Sequence, residues 1–353
     1  MKLFLFAVVL AAFSLPAEVI WRAPEPVEPA EYLGFDNGPV VRFNLQALTV
    51  EEGGLEGFGS GVIFRVPGGG CGTEPGTPDL PVIRRMVQIP ATGGFDLEVV
   101  SSETSVLGCY NVLPFQPFPD RSGGSRPPLQ VDDRVYGVSS PFPASPVTID
   151  RISILRDIRV AWISFCPVQV NPVTGLTTLT TGVTVRLVPN GAPGENELVR
   201  VSTGTTRSFL PVYREVLGFQ GSDAVVDGSY LVIGSEAAIG LCADLIQWKR
   251  EKGYEVVVTP IETIGSTSAA VDAYIENAFN TWENPPEWLL LLGDETIVPV
   301  YWAPSNIASD NQYGVIGSGY DPSIHVARLC ADASKLGYVA WKVRSRVTRS
   351  TCS

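Results

Sequence analysis

The sequence predicts a mixed, two-part fold. An all-β, sandwich-like domain covers residues 25–189, and an α/β layer built on a parallel sheet covers residues 229–341. Three observations predict it. Glycine and proline, 35 and 29 residues, concentrate in the first two hundred positions, where many short strands need turns. Within that stretch several runs alternate apolar and polar residues, the period of a half-buried strand. After Gly228 the period lengthens to three and four residues between short apolar runs, a β-α-β-α-β series that favours parallel pairing.

Taken in order, Lys2 and the apolar run 3–15 precede Pro16-Ala17 and read as a secretory signal peptide over residues 1–17. The run is too short to span a bilayer as a helix, and no later segment reads as transmembrane. The mature chain is therefore expected to be secreted, at or beyond the cell surface. Residues 18–70 are weakly patterned, with Val41, Phe43 and Leu45 alternating before the glycine-rich stretch 53–61. Residues 82–89, 95–100, 160–165 and 176–188 read as strands. Asn171-Pro172-Val173-Thr174-Gly175 reads as a tight turn, because proline fixes φ and glycine supplies a positive one. Residues 114–128 form a proline-rich loop. Residues 190–228 form a linker with a short helix within 208–218, and Arg200 and Arg207 are its candidate processing sites.

The second part starts with a short apolar strand at 230–233. Ser235 caps a helix through Ala238, Cys242, Leu245, Ile246 and Lys249, and Gly253 ends it. Residues 255–259 form the next strand. Thr267 or Ser268 opens a second helix through Val271, Tyr274, Ile275, Ala278, Phe279 and Trp282, stopped by Asn284-Pro285-Pro286. Residues 288–292 show no alternation, as expected of a strand covered on both faces. Residues 324–329 are a fourth apolar run. A helix from Ala333 or Ser334 loses its pattern midway. Residues 342–353 then form an irregular basic tail with Lys342, Arg344, Arg346 and Arg349, the mark of a fragment end or frameshift.

A net charge of −12 argues against nucleic-acid binding, which needs clustered lysine and arginine. Six cysteines and an export signal permit disulfides, with Cys71 and Cys109 as a candidate pair and Cys166 and Cys242 as buried thiols. No cysteine spacing suits zinc. His325 is the one histidine and sits inside a strand, so it reads as structural. A dyad with Cys330 would need a sharp turn at the strand end. Asp294 follows the third strand, where open α/β sheets place ligand-contacting groups.

Two regions resemble the gingipain-type cysteine peptidases, peptidase family C25. Pro78-Asp79-Leu80-Pro81-Val82, Ile154-Leu155-Arg156-Asp157-Ile158-Arg159, Cys166-Pro167-Val168-Gln169 and the 171–175 turn resemble the family's propeptide domain. Trp248-Lys249-Arg250, Lys252-Gly253-Tyr254, Leu290-Leu291-Leu292-Gly293-Asp294, Ser309-Asp310 with Tyr313-Gly314, and 324–328 resemble the opening of its catalytic domain. The resemblance implies a secreted endopeptidase zymogen, with a β-rich prodomain that blocks the cleft of its own caspase-like α/β catalytic domain. Its substrates would be proteins and peptides. A cysteine thiolate would attack, and a histidine would stabilise it and protonate the leaving amine. The family's catalytic pair lies beyond the position of Leu329, so no catalytic residue is assigned here. The α/β domain is read as C-terminally incomplete and the chain as inactive. Gly317–Asp321 resembles a shortened acidic loop that helps bind calcium in the family. Asp294, Asp310 and Asp321 are accordingly the candidate calcium ligands, in a structural role, and no other cofactor is required. The alternatives are a non-catalytic secreted binding or adhesion protein, and a prodomain that inhibits a peptidase in trans.

Overall fold

Hydrogen-bonded pairing changes character along the chain, antiparallel among the strands with recorded register before residue 190 and parallel in the sheet that starts at Ser229. The computed structural model describes residues 17–72, 74–117, 127–222, 224–303, 307–332 and 334–350. Most of the expected signal peptide, part of the proline-rich loop and the last three residues of the tail lie outside them. Contacts divide the described residues into two compact units. The first comprises the chain up to Arg85, Leu97–Asp150 and Ile163–Val188; the second comprises Met86–Asp96, Arg151–Trp162 and the chain from Pro189. The sequence placed a β-rich domain at 25–189, a linker at 190–228 and the α/β part from 229. The structure instead gives the second unit two short segments from earlier in the chain.

The strands before residue 190 are β1 (Glu18–Arg22), β2 (Ala30–Phe35), β3 (Pro39–Asn44), β4 (Ala47–Leu55), β5 (Gly59–Arg65), β6 (Ile83–Ile89), β7 (Phe95–Cys109), β8 (Val147–Leu155), β9 (Ile158–Phe165), β10 (Val168–Val170) and β11 (Leu176–Pro189). Helix α1 is a single turn at Asp133–Tyr136. Strands β1, β4 and β5 form one sheet in the order β1-β4-β5. A second sheet runs β10-β11-β3-β2, with β7 also paired to β11, and a third runs β6-β9-β8.

The first unit is thus β-rich, as expected, but five of its strands lie in the weakly patterned stretch. One cause, local to β5, is visible at Gly61. A Cβ there would stand 2.5 Å from the carbonyl oxygen of Asn111, so the close approach of 111–113 demands glycine where a strand pattern would want an apolar residue. The 171–175 turn forms as expected. Gly175 has φ 73°, and the Asn171 side chain accepts from the backbone N–H groups of Val173 and Thr174. Val41, Phe43, Val183, Val185 and Leu187 face inward, consistent with the alternation seen in the sequence.

In the second unit, β12 (Thr205–Thr206) pairs with β13 (Val225–Val226). The expected 208–218 helix is shorter, a 3-10 turn at Arg207–Phe209 and α2 (Leu210–Tyr213). The α/β layer comprises β14 (Ser229–Gly234), α3 (Glu236–Leu241), α4 (Ala243–Glu251), β15 (Val256–Pro260), α5 (Ile261–Ile264), α6 (Ser268–Thr281), β16 (Pro286–Leu292), β17 (Tyr301–Ala303), β18 (Ile307–Ser309), β19 (His325–Leu329) and α7 (Leu336–Ser350). Its parallel sheet has the order β15-β14-β16-β19.

Successive side chains of β14 and β16 go to opposite cores. Leu231, Ile233, Leu289 and Leu291 pack with Val271, Ile275 and Phe279 of α6. Tyr230, Val232, Leu290 and Leu292 pack with Leu245 and Ile246 of α4 and with Leu336 and Ala340 of α7. Both faces are covered, which is why β16 carries no alternation. Ser235 and Thr267 cap their helices through side-chain oxygens that accept from Ala238 and Ala270 backbone N–H groups. The single helix expected after Ser235 is divided at Cys242, whose backbone leaves helical geometry.

Helix α7 corrects the expectation of an irregular tail from 342. It continues to Ser350, with Leu336 and Ala340 at helical spacing packed in the core. Cys71 and Cys109, expected as a pair, are both free thiols. Among the described residues no helix is long and apolar enough to cross a membrane.

Truncating Leu291→Ala, fully buried in β16, should cost about 2–5 kcal/mol of stability. Leu33→Ala, exposed on β2, should cost under about 0.5 kcal/mol. Urea midpoints of the two variants check this contrast.

Candidate functional site

The three aspartates expected to bind calcium are engaged with other partners. Asp310 accepts from Arg328 through both carboxylate oxygens, at 2.8 and 2.6 Å. Arg328 also donates to the carbonyls of Gly293, Asp294, Val298 and Pro299, so it gathers the loops that follow β16. The Asp294 carboxylate accepts from the Thr296 hydroxyl at 2.6 Å and backbone N–H at 3.0 Å, which holds its pKa below the usual range. Asp321 accepts from the Trp162 indole N–H at 2.7 Å and from the Arg151 guanidinium at 3.3 Å. The structure thus joins Asp310 to the backbone of Asp294, while Asp321 keeps separate partners. Arginines stand against Asp310 and Asp321 where a cation would. Among the described residues no group of three or more His, Cys, Asp or Glu side chains is placed to hold a metal ion.

His325 opens β19 and is half-buried. Its ring lies between Phe209 and Trp288, with centroids 4.5 Å away on each side and interplanar angles of 30° and 29°. Its Nε2 is 2.9 Å from Ser208 Oγ. Burial holds its pKa below the ordinary value; Glu287 opposes this and Arg156 adds to it. Asp310, Asn311, Gly314, Pro322, Ile324 and Val326 border a cavity of about 330 Å3 beside it. No cysteine lines that cavity, and Cys330 lies beyond the end of β19. The contacts immobilise the imidazole and fasten the 207–209 turn to the sheet. Ser208 and His325 are 117 residues apart, so nothing in the sequence links them.

Cys166 and Cys242 are buried, as expected. Burial raises their thiol pKa values to about 12 and about 11, which disfavours the thiolate that attack requires. Cys109 and Cys330 are exposed.

The sequence assigns no role to one heavily bonded side chain of the second unit. Arg156 sits at the turn between β8 and β9 with φ 47°, a left-handed conformation uncommon for a residue other than glycine. It is almost fully buried. Its guanidinium donates to Pro286 O at 2.6 Å, Ser323 O at 3.0 Å, Pro285 O at 3.4 Å and Thr206 Oγ1 at 2.8 Å. Its backbone N–H donates to Ser323 Oγ at 2.9 Å. The neighbouring Asp157 carboxylate accepts from the Thr206 N–H at 2.8 Å and the Tyr213 hydroxyl at 2.9 Å. Burial lowers the Arg156 pKa, while Asp157 and Glu287 counter it. An Arg-Asp pair at a strand-to-strand turn normally reads as solvated, so only the acceptors supplied by 285, 286 and 323 reveal it.

Because folding lowers the pKa of His325, the unfolded chain binds more protons than the native one just below pH 6.5. The associated stability is present above that pH and is lost as pH falls towards the folded value. Urea midpoints of the wild type should therefore drop more between pH 7 and 5 than those of His325→Gln. An inverted difference would mean that attraction of the imidazolium to its two flanking rings outweighs desolvation. Native-state alkylation should modify Cys109 and Cys330 at least tenfold faster than Cys166 and Cys242.

The family match runs across both compact units. The C25 propeptide family model, Propeptide_C25, matches residues 40–217. Gingipain R2 of Porphyromonas gingivalis is 25% identical over 272 residues, which covers 74% of this chain and 37% of the relative. Gingipain R1 of the same organism is 26% identical over 272 residues, covering 74% of this chain and 27% of the relative. The chain therefore spans well under half the length of these curated relatives. Among solved structures, the complex of Porphyromonas gingivalis RgpB pro- and mature domains aligns with 56% of this chain and 97% of that chain, at 25% identity and a TM-score of 0.47. With the propeptide signature extending over about half its length, from the second sheet to α2, this chain belongs to the C25 gingipain-type propeptide family.

Proposed function

We propose that the chain is the propeptide and opening α/β layer of a secreted, gingipain-like cysteine endopeptidase precursor. The observation that carries this reading is the junction of two features in one chain. The propeptide match ends at residue 217, and a parallel sheet ordered β15-β14-β16-β19 with helices on both faces begins at Ser229. That sheet order and layering support a caspase-like assignment for the second part. The apolar run at 3–15 supports export.

The propeptide's role in this reading is latency. It binds its own catalytic domain and keeps peptide substrates from the cleft. The turn at Arg156 supports such a role, because a propeptide residue is held by the backbone of the segments that flank β16 and β19. His325 acts as a packing residue, since its ring is held between two others and its cavity contains no thiol. Calcium forms no part of the reading, because Asp310 and Asp321 hold arginines.

The test is inhibition in trans. The purified chain at micromolar concentration should slow hydrolysis of a fluorogenic arginyl or lysyl peptide by a gingipain-type cysteine peptidase at least tenfold. It should leave a papain-like peptidase unaffected, and His325→Ala should inhibit as the wild type does. Equal or absent inhibition of the two peptidases would remove the latency reading.

A further inference from the structure

The groups that hold Arg156 come from separate places in the chain. Pro285 and Pro286 carbonyls lie at the start of β16, the Ser323 carbonyl just before β19, and the Thr206 hydroxyl in β12. They are placed around a planar fork, and a single ammonium could not reach them all. Two rings complete the enclosure, with the guanidinium carbon 5.6 Å from the Phe209 centroid and 5.7 Å from that of Phe279. The negative groups nearby are Asp157, with an oxygen 3.9 Å from Arg156 Nε, and Glu287, which accepts from the Gly228 N–H at 2.6 Å.

Gly228 borders the same space and is crowded from three sides. A Cβ there would stand 2.5 Å from Arg156 Nη2 and 2.7 Å from both Glu287 Cβ and the Pro285 carbonyl oxygen, so any side chain at 228 would intrude on the guanidinium and on the wall beside it. A cavity of about 250 Å3 adjoins the site, bordered by Arg156, Thr206, Gly228, Phe279 and Pro285 among others, and offers a small cation a way in. Arg200 also borders it, but its guanidinium donates to the carbonyls of Trp282 and Glu283.

We propose that these elements form a guanidinium-binding receptacle that is separable from the arginine it holds. With the Arg156 side chain removed, it takes a free alkylguanidinium cation. Its natural ligand is an arginyl side chain, supplied here by the chain's own β8–β9 turn. The acceptors drive the selectivity. Without a donor fork the Pro286 and Ser323 carbonyls lose a buried partner, and a guanidinium restores hydrogen bonds that an ammonium of the same charge cannot.

The experiment compares full-length wild type, Arg156→Ala, Arg156→Lys and Gly228→Ala by thermal melting, at constant ionic strength. Each is melted alone and with up to tens of millimolar N-ethylguanidinium or N-ethylammonium chloride. Arg156→Ala should melt well below the wild type and recover several degrees with ethylguanidinium but not with ethylammonium. The wild type, whose site is filled, should not respond. Arg156→Lys should melt below the wild type, because its charge is kept but its fork is lost. Gly228→Ala should do so because the new methyl crowds the guanidinium together with Glu287 Cβ and the Pro285 carbonyl. Absence of a guanidinium-specific recovery in Arg156→Ala, or an equal response in the wild type, would overturn the proposal. Should Arg156→Ala not fold, a melting temperature equal to that of the wild type in either Arg156→Lys or Gly228→Ala would overturn it equally.

Discussion

A cation buried in a folded chain must find acceptors for its donors, and each of the three guanidinium nitrogens of Arg156 finds at least one, in three backbone carbonyls and the Thr206 hydroxyl. The arrangement works in both directions. The carbonyls of 285 and 286 sit at the entry to β16, where its pairing with β14 shifts register, and that of 323 lies just ahead of β19. A buried acceptor left unpaired costs about 1–3 kcal/mol. One side chain serves several at once. In return it fixes the start of β16, the start of β19 and the β12 segment relative to one another. The left-handed backbone at Arg156 is held by the same bonds and by the Ser323 hydroxyl.

The device recurs in the second unit. Arg159, also fully buried, donates to the carbonyls of Pro90, Gly93 and Glu195, joining the 90–94 connection to the stretch around 195, neither of which has regular structure of its own. Arg328 does the same for the loops after β16 and adds a bidentate contact with Asp310. An arginine fork can reach acceptors on different segments, and its strong, charge-assisted bonds tolerate the low dielectric of the interior. Loops that would otherwise be loose are ordered by a handful of guanidinium groups. Such groups also engage two of the carboxylates that a metal would need.

His325 shows how one residue type can mislead. A lone histidine near a cysteine invites a catalytic reading, yet its neighbours are two aromatic rings and a serine. Burial favours its neutral form, and stacking fixes its orientation. It joins the propeptide-family segment at Ser208–Phe209 to β19, a tie of the same kind as Arg156 but made with rings and one hydrogen bond.

The sequence by itself determined much of this architecture. Period and capping residues located β14, β15, β16 and α6 to within two residues, because helix and strand periods and caps are local properties of the chain. The absence of alternation at 288–292 foretold helices on both faces, and the 171–175 turn was legible from proline and glycine alone. Only the tertiary structure decided the rest. Strand β5 was obscured in part because Gly61 answers to the close approach of the Asn111 backbone and not to a strand pattern. Helix α7 starts with Leu336 and Ala340 packed against the sheet and runs through 342–350, where the sequence shows no apolar stripe. The assignment of 86–96 and 151–162 to the second unit, the burial of Arg156 and the enclosure of His325 all depend on atoms tens to hundreds of residues away. Charge at a turn looks solvated in sequence. It is the carbonyls of remote segments that draw it inside.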